Sequence, residues 1–223
     1  MRSCKQVCYR VIALLLCLCI NSHPCICTVM IRKNLINCNL IREKRSSKSV
    51  FDASVKELHP EREVCPVCRK KGDCRIHSYY RRYVIDFIGG TICAKSIRVP
   101  RVKCSCGHTH AILPDPIIPY DSYSLFFILR VITEYCMRLR TVSALCERFS
   151  ITPSMLYRWL KLYSDHRREW QGILKTVSQP LLDSLKELIR IEPFRDLAHS
   201  FFRSTGRSFL QSHRNPAVSL RSG

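Results

Sequence analysis

The apolar positions of this chain change their spacing several times, and each change marks a different kind of element. Residues 11–20, VIALLLCLCI, are continuously apolar after the basic residues Arg2, Lys5 and Arg10, and NSHP then interrupts the run. Ten residues are too few to cross a bilayer by themselves. The stretch reads first as upstream of a true start at Met30 and second as a membrane anchor. A signal peptide fits its charged start and apolar middle, but no small-x-small cleavage site follows. Residues 41–60 (IREKRSSKSVFDASVKELHP) are polar, with a basic cluster and many serines, and are expected to form a linker.

Aromatic and β-branched residues then dominate RIHSYYRRYVIDF, from Arg75 to Phe87. Gly89-Gly90 supplies a turn, and TICAKSIRVPRVKC reads as the returning strand of a hairpin. Pro100 has no amide hydrogen, so this second strand is expected at a sheet edge. After Pro114, Pro116 and Pro119 the period becomes helical. Helices are predicted over 122–139, 141–149 and 153–170, with another opening at Pro180 and a last segment ending at Gly206. SFLQSHRNPAVSLRSG, the final stretch, reads as disordered. The resulting fold class is α+β. An apolar, Cys-rich segment and linker (1–60) precede a small β-hairpin module (61–114), an all-α domain (120–205) and a flexible basic tail (206–223).

Charge narrows the partners. Thirty-seven Lys and Arg oppose seventeen Asp and Glu, giving a net charge of +20 and a pI near 9.7. That balance favours a polyanion, with nucleic acid ahead of an acidic membrane surface. The fifteen cysteines bring a second kind of chemistry. In a chain of this length, C-x-x-C spacing points to metal binding in a reducing compartment rather than to disulfides.

Cys65-Pro-Val-Cys68 is one half of a zinc site in its usual form, two thiolates gripping one face of a tetrahedron. The octet KCSCGHTH (103–110) offers Cys104 and Cys106 as the second half, at a tighter C-x-C spacing. A hairpin between two such pairs is the layout of a zinc ribbon, in which metal replaces the core that a very small sheet lacks. Cys65, Cys68, Cys104 and Cys106 are therefore the expected zinc ligands. Either His108 or His110 could replace a thiolate, or Cys74 and His77 could complete a local knuckle, but each of these four is expected to be an ordinary residue of the sheet. No carboxylate directly adjoins either cysteine pair in sequence, so the zinc is expected to be structural.

TVSALCERFSITPSMLYRWLKLY (141–163) has the register of a helix-turn-helix. Leu145, Phe149, Ile151, Leu156 and Trp159 supply the apolar lock, Cys146 is the small inner residue, and Ser150 stands at the turn. Thr152 can cap the second helix and Pro153 suits its first position. Such a helix turns Pro153, Ser154, Tyr157, Arg158 and Lys161 outward. These are positions from which a recognition helix reaches bases and phosphates in the major groove. Ser154, Tyr157, Arg158 and Lys161 are the expected DNA-binding residues.

CPVC, YYRRYVIDF, VKCSCGHTHAILPDPIIPY and the segment ending LYRWL together resemble an uncharacterised bacterial domain-of-unknown-function family, over roughly residues 60–210. The zinc-ribbon front end of that family is similar to that of insertion-sequence transposases. The resemblance implies a cytoplasmic DNA-binding protein. After Tyr163 about sixty residues remain, and their scattered carboxylates lie on helical segments with no strand pattern to gather them for a two-metal cutting site. The expected function is DNA binding without catalysis, regulatory or derived from a mobile element. The expected partner is double-stranded DNA, with no small-molecule substrate and no membrane, and a homodimer is left open. The competing readings are a protein-interaction adaptor for a transposase or for transcription machinery, and an enzyme, either a nuclease or a thiol oxidoreductase using Cys65 and Cys68. The redox version of the latter is disfavoured because such pairs open a helix of a βαβ unit.

Overall fold

The longest element is a two-stranded ribbon, and its turn is dictated by two glycines. Gly89 and Gly90 have φ of +58° and +84°, conformations open to glycine at no steric cost, and they close a two-residue connection of the twist that antiparallel strands prefer. The computed structural model describes residues 30–33, 46–174, 198, 201–202 and 204–212. Within them, β1 (Ile31–Lys33), β2 (Cys74–Ile88), β3 (Thr91–Cys104) and β4 (Thr109–Pro114) form one sheet in the order β1-β4-β3-β2. β2, β3 and β4 are antiparallel, and β1 joins β4 in parallel. Four helices accompany the sheet: α1 (Ser47–Lys56), α2 (Leu125–Cys136), α3 (Val142–Phe149) and α4 (Pro153–Leu174). The chain is thus mixed α and β, with the sheet built first along the sequence and most of the helices after it. The apolar run at 11–20 and the segment opening at Pro180 lie outside the described residues. Among the described residues no helix is long and apolar enough to cross a membrane.

Three expectations need correction. First, β3 is an interior strand. Pro100 lies immediately before the β4 ladder, which begins at Arg101, and its β2 partner Tyr79 sits just beyond the irregularity at Ile76–Ser78. A residue without an amide hydrogen is accommodated where pairing lapses. Second, the supposed linker contains α1. The Ser46 hydroxyl accepts the Ser49 amide at 3.0 Å, a standard N-cap. Val50 and Phe51 are buried, and Val55 packs against the same sheet face as Phe51. Third, the expected disorder of the C-terminal tail does not extend to its start: Ser208, Phe209, Leu210 and Gln211 are all buried. The Leu210 amide donates to Nδ1 of the buried His166 at 2.9 Å, and Arg207 pairs with Glu169.

The ribbon is covered differently along its length. Val84, Ile97 and Val99 pack beneath Phe51 of α1 and Met30. At the turn end, Ile85 joins the main helical core, with Phe127, Phe149, Trp159 and Tyr163, and Phe87 packs against it. The Phe87 and Phe149 ring centroids are 4.6 Å apart. Each large apolar side chain removed from water here contributes about 1.5–3 kcal/mol. A buried carboxylate, Glu134 of α2, ties the bundle together. It accepts Arg130 Nε at 2.8 Å and faces Arg148 at 3.4 Å and Arg140 at 3.6 Å. Arg148 also lies over the Phe87 ring at 5.0 Å, so the same guanidinium links α3 to the sheet.

Candidate metal centre and exposed helical face

At the open end of the ribbon two short loops face each other. The first encloses Cys65-Pro-Val-Cys68: Val64 bridges Lys71, the Cys65 amide donates to the Lys70 carbonyl at 2.9 Å, and Arg69 turns with φ +64°. The second encloses Cys104-Ser-Cys106. Here Gly107 donates to the Cys104 carbonyl at 2.9 Å and adopts φ +88°, which glycine takes without strain. In both loops the chain goes left-handed at the residue after the second cysteine, and both sulfurs then project inward.

The four sulfurs of Cys65, Cys68, Cys104 and Cys106 lie within 4.8 Å of one another. Cys65 and Cys106 are 3.7 Å apart, and Cys68 and Cys104 are 3.6 Å apart. Metal–thiolate bonds of about 2.3 Å in a tetrahedron place their sulfurs roughly 3.8 Å apart. The four cysteines are therefore spaced as the ligands of one tetrahedral ion and could hold a metal. The C-x-C spacing does not prevent this, because the tighter loop and the wider one meet from opposite sides.

Burial and backbone amides act on these thiols in opposite directions. Burial pushes the Cys65 thiol up to about 12, against the backbone amides of Cys68 and Val67, which donate to its sulfur. Burial also raises Cys106, opposed by the His108 amide. For Cys104 burial again pushes upward, but the Cys106 amide and the neighbouring thiols reverse it and bring the group down to about 6. The backbone donors favour the thiolate form while burial opposes it, so a bound cation would supply the compensating charge.

The side chains that the sequence left as alternatives separate clearly. His77 is exposed on β2. Cys74 is buried and pairs in register with Cys104; burial and the neighbouring Cys104 raise it to about 11. His108 lies 3.5 Å from the Cys106 sulfur through Nδ1. His110 is fully buried, with Nε2 3.3 Å from the Cys65 sulfur. Sequence reasoning treated His110 as an ordinary sheet residue. Its place on β4, opposite Val102, sets it beside Cys65, and only that strand register could have revealed it.

The helical half places its predicted residues as expected by spacing. Ser150, between α3 and α4, has φ +47° and ψ +48°. Leu145, Cys146, Phe149, Ile151, Leu156 and Trp159 are all buried. Thr152 Oγ1 accepts the Met155 amide at 3.2 Å, capping α4, and touches Ser154 Oγ at 2.8 Å. Ser154, Tyr157, Arg158 and Lys161 are exposed. Besides Ser154, two of them have local partners. Lys161 bonds Asp165 at 3.1 Å, which holds that carboxyl below its ordinary range. Arg158 faces Asp121, whose carboxyl is raised by burial and drawn back by the Tyr123 amide, Arg158 and Arg82.

No curated protein and no solved structure matches the chain. Residues 65–159, from the first cysteine of the candidate metal centre to the buried tryptophan of α4, match the family described as Domain of unknown function (DUF6431).

Proposed function

We propose that the chain is a zinc-dependent, sequence-preferring binder of double-stranded DNA. On this reading the Cys65, Cys68, Cys104 and Cys106 thiolates hold one structural zinc ion, and the two loops with the ribbon act as a zinc ribbon. The α3–turn–α4 unit acts as a helix-turn-helix. The observation that carries the reading is the left-handed turn at Ser150, with the buried lock on one side of α4 and the exposed Ser154, Tyr157, Arg158 and Lys161 on the other. In a chain of net charge +20, such a face is suited to phosphates and base edges. Arg158 would exchange its interaction with Asp121 for a base or phosphate contact. With no cutting domain read from the sequence, regulation of transcription or of a mobile element is the proposed role.

The test selects a preferred duplex from a random pool and compares wild type with Arg158→Ala and Lys161→Ala. Arg158→Ala should cost about 1–3 kcal/mol at the selected site and relax the preference, whereas Lys161→Ala should weaken all sequences alike. If Arg158→Ala leaves both specific and nonspecific binding unchanged, α4 is not the reading element. A second reading, a protein-interaction adaptor, is favoured by the exposed Met137 and Leu139 where α2 gives way to α3. It requires that a labelled duplex does not bind even at low salt.

A further inference from the structure

One face of the β2–β3 ribbon is covered at both ends and bare in the middle. On β3, Val102 and Cys104 are covered by the metal loops, while Ile92 at the other end packs against the helical core. Between them, on the same face by strand alternation, lie Arg98 and Ser96, paired in register with Arg81 and Tyr83 of β2, and next to them Tyr79 pairs with Pro100. Tyr79, Arg81, Tyr83, Ser96 and Arg98 are all exposed. The metal loops bound this strip on one side and the helices on the other.

Its composition conflicts with folding stability. Arg81 and Arg98 are directly opposite each other, and like charges opposed across an antiparallel pair destabilise a sheet. Neither has an acidic partner among the described residues; Arg98 instead lies 4.3 Å from the centre of the Tyr79 ring. A groove of about 640 Å³ opens beside them, with Lys48 and Lys56 of α1 along its other wall. The single carboxylate in that lining, Asp52, is already paired with Lys48. Four cations against one acid, with tyrosine rings between, form a surface that a polyanion would complete. The strip also leads toward α4. Ile85, the next residue after Tyr83 on that face of β2, joins the helical core that includes Trp159 and Tyr163 of α4.

We propose that the strip of Tyr79, Arg81, Tyr83, Ser96 and Arg98 is a second DNA-contacting surface, which grips the sugar–phosphate backbone of the same duplex flanking the segment met by α4. This rests on the DNA-binding reading above, but it is carried by different residues. The strip is about 13 Å long, and its two arginines, Arg81 and Arg98, can neutralise roughly two phosphates of one strand. It positions the duplex and carries no base preference of its own.

The experiment uses the full zinc-loaded chain and a fluorescein-labelled mixed-sequence duplex, with affinity measured across a salt series. Arg81→Gln with Arg98→Gln should weaken binding about tenfold or more at low salt and flatten the log–log salt slope by about 2. It should leave the base preference intact. Because the change relieves a like-charge pair, thermal unfolding should be unchanged or shifted upward, which separates lost contact from lost fold. An unchanged salt slope overturns the proposal, and so does a larger loss on the matching single strand than on the duplex. If the slope falls for this variant while Arg158→Ala and Lys161→Ala bind like wild type, the strip stands and the α4 reading fails. The converse pattern leaves α4 standing and removes the strip.

Discussion

The carboxylate of Asp86, deep in β2, accepts the backbone amide of Ser47 at 2.9 Å and its hydroxyl at 2.7 Å. Both residues are buried. Ser47 is the first residue of α1, so the acid sits at the positive end of that helix and satisfies an amide that has no partner within it. Asp86→Ala should destabilise the chain by about 2–4 kcal/mol in urea unfolding, since it leaves two buried donors unpaired. Asp86→Asn, which keeps one acceptor, should cost less. Limited proteolysis should show new cleavage in 46–58 for the alanine variant, and an unchanged pattern would mean that α1 is held by its apolar side chains alone.

A metal bound by the four cysteines should depend on a residue that is not a ligand. His110 offers Nε2 to the Cys65 sulfur at 3.3 Å, and partners of this kind typically change metal affinity by about 10–100-fold when removed. His110→Ala should weaken zinc by that factor in a competition titration with a chromogenic chelator. Cys74→Ser should leave stoichiometry and affinity nearly unchanged, although Cys74 is as buried as Cys65 and Cys104. A loss of zinc in Cys74→Ser would reassign the ligand set.

His166 should make stability depend on acidity. Burial, reinforced by the nearby Arg207 charge, lowers its imidazole to about 4 from an ordinary 6.5. Between these values the unfolded chain holds a proton that the folded chain refuses. The stabilisation is therefore complete above pH 6.5 and is lost as the pH falls toward 4, by on the order of 2–3 kcal/mol. His166→Gln should show a flatter pH profile of unfolding free energy than wild type over this window, and identical slopes would refute the assignment.

How much of this could be read beforehand followed from the range of the signal. The α3–turn–α4 unit was legible because its lock, Leu145 to Trp159, repeats within a few residues, and Ser150 and Thr152 mark the turn and the cap locally. The two cysteine pairs were legible by spacing, and the distances of 3.6 and 3.7 Å between their sulfurs agree with that reading. Helix α1 was missed because its serines and charges mimic a linker, and only three apolar residues, Val50, Phe51 and Val55, tether it. Its N-terminal partner, Asp86, is thirty-nine residues away. The interior place of β3 depends on β4, whose pairing with Arg101–Lys103 is fixed by the Cys104–Cys106 loop rather than by periodicity. Docking of the tail on His166 spans forty-four residues and leaves no local trace.

Zinc K-edge X-ray absorption on the purified full-length chain, alongside its metal content, is the most direct test of the tetrathiolate centre. One zinc per chain, with a first shell of four sulfurs at about 2.3 Å, is the predicted result. A shell containing nitrogen or oxygen, or a folded chain that binds no metal at all, would contradict it.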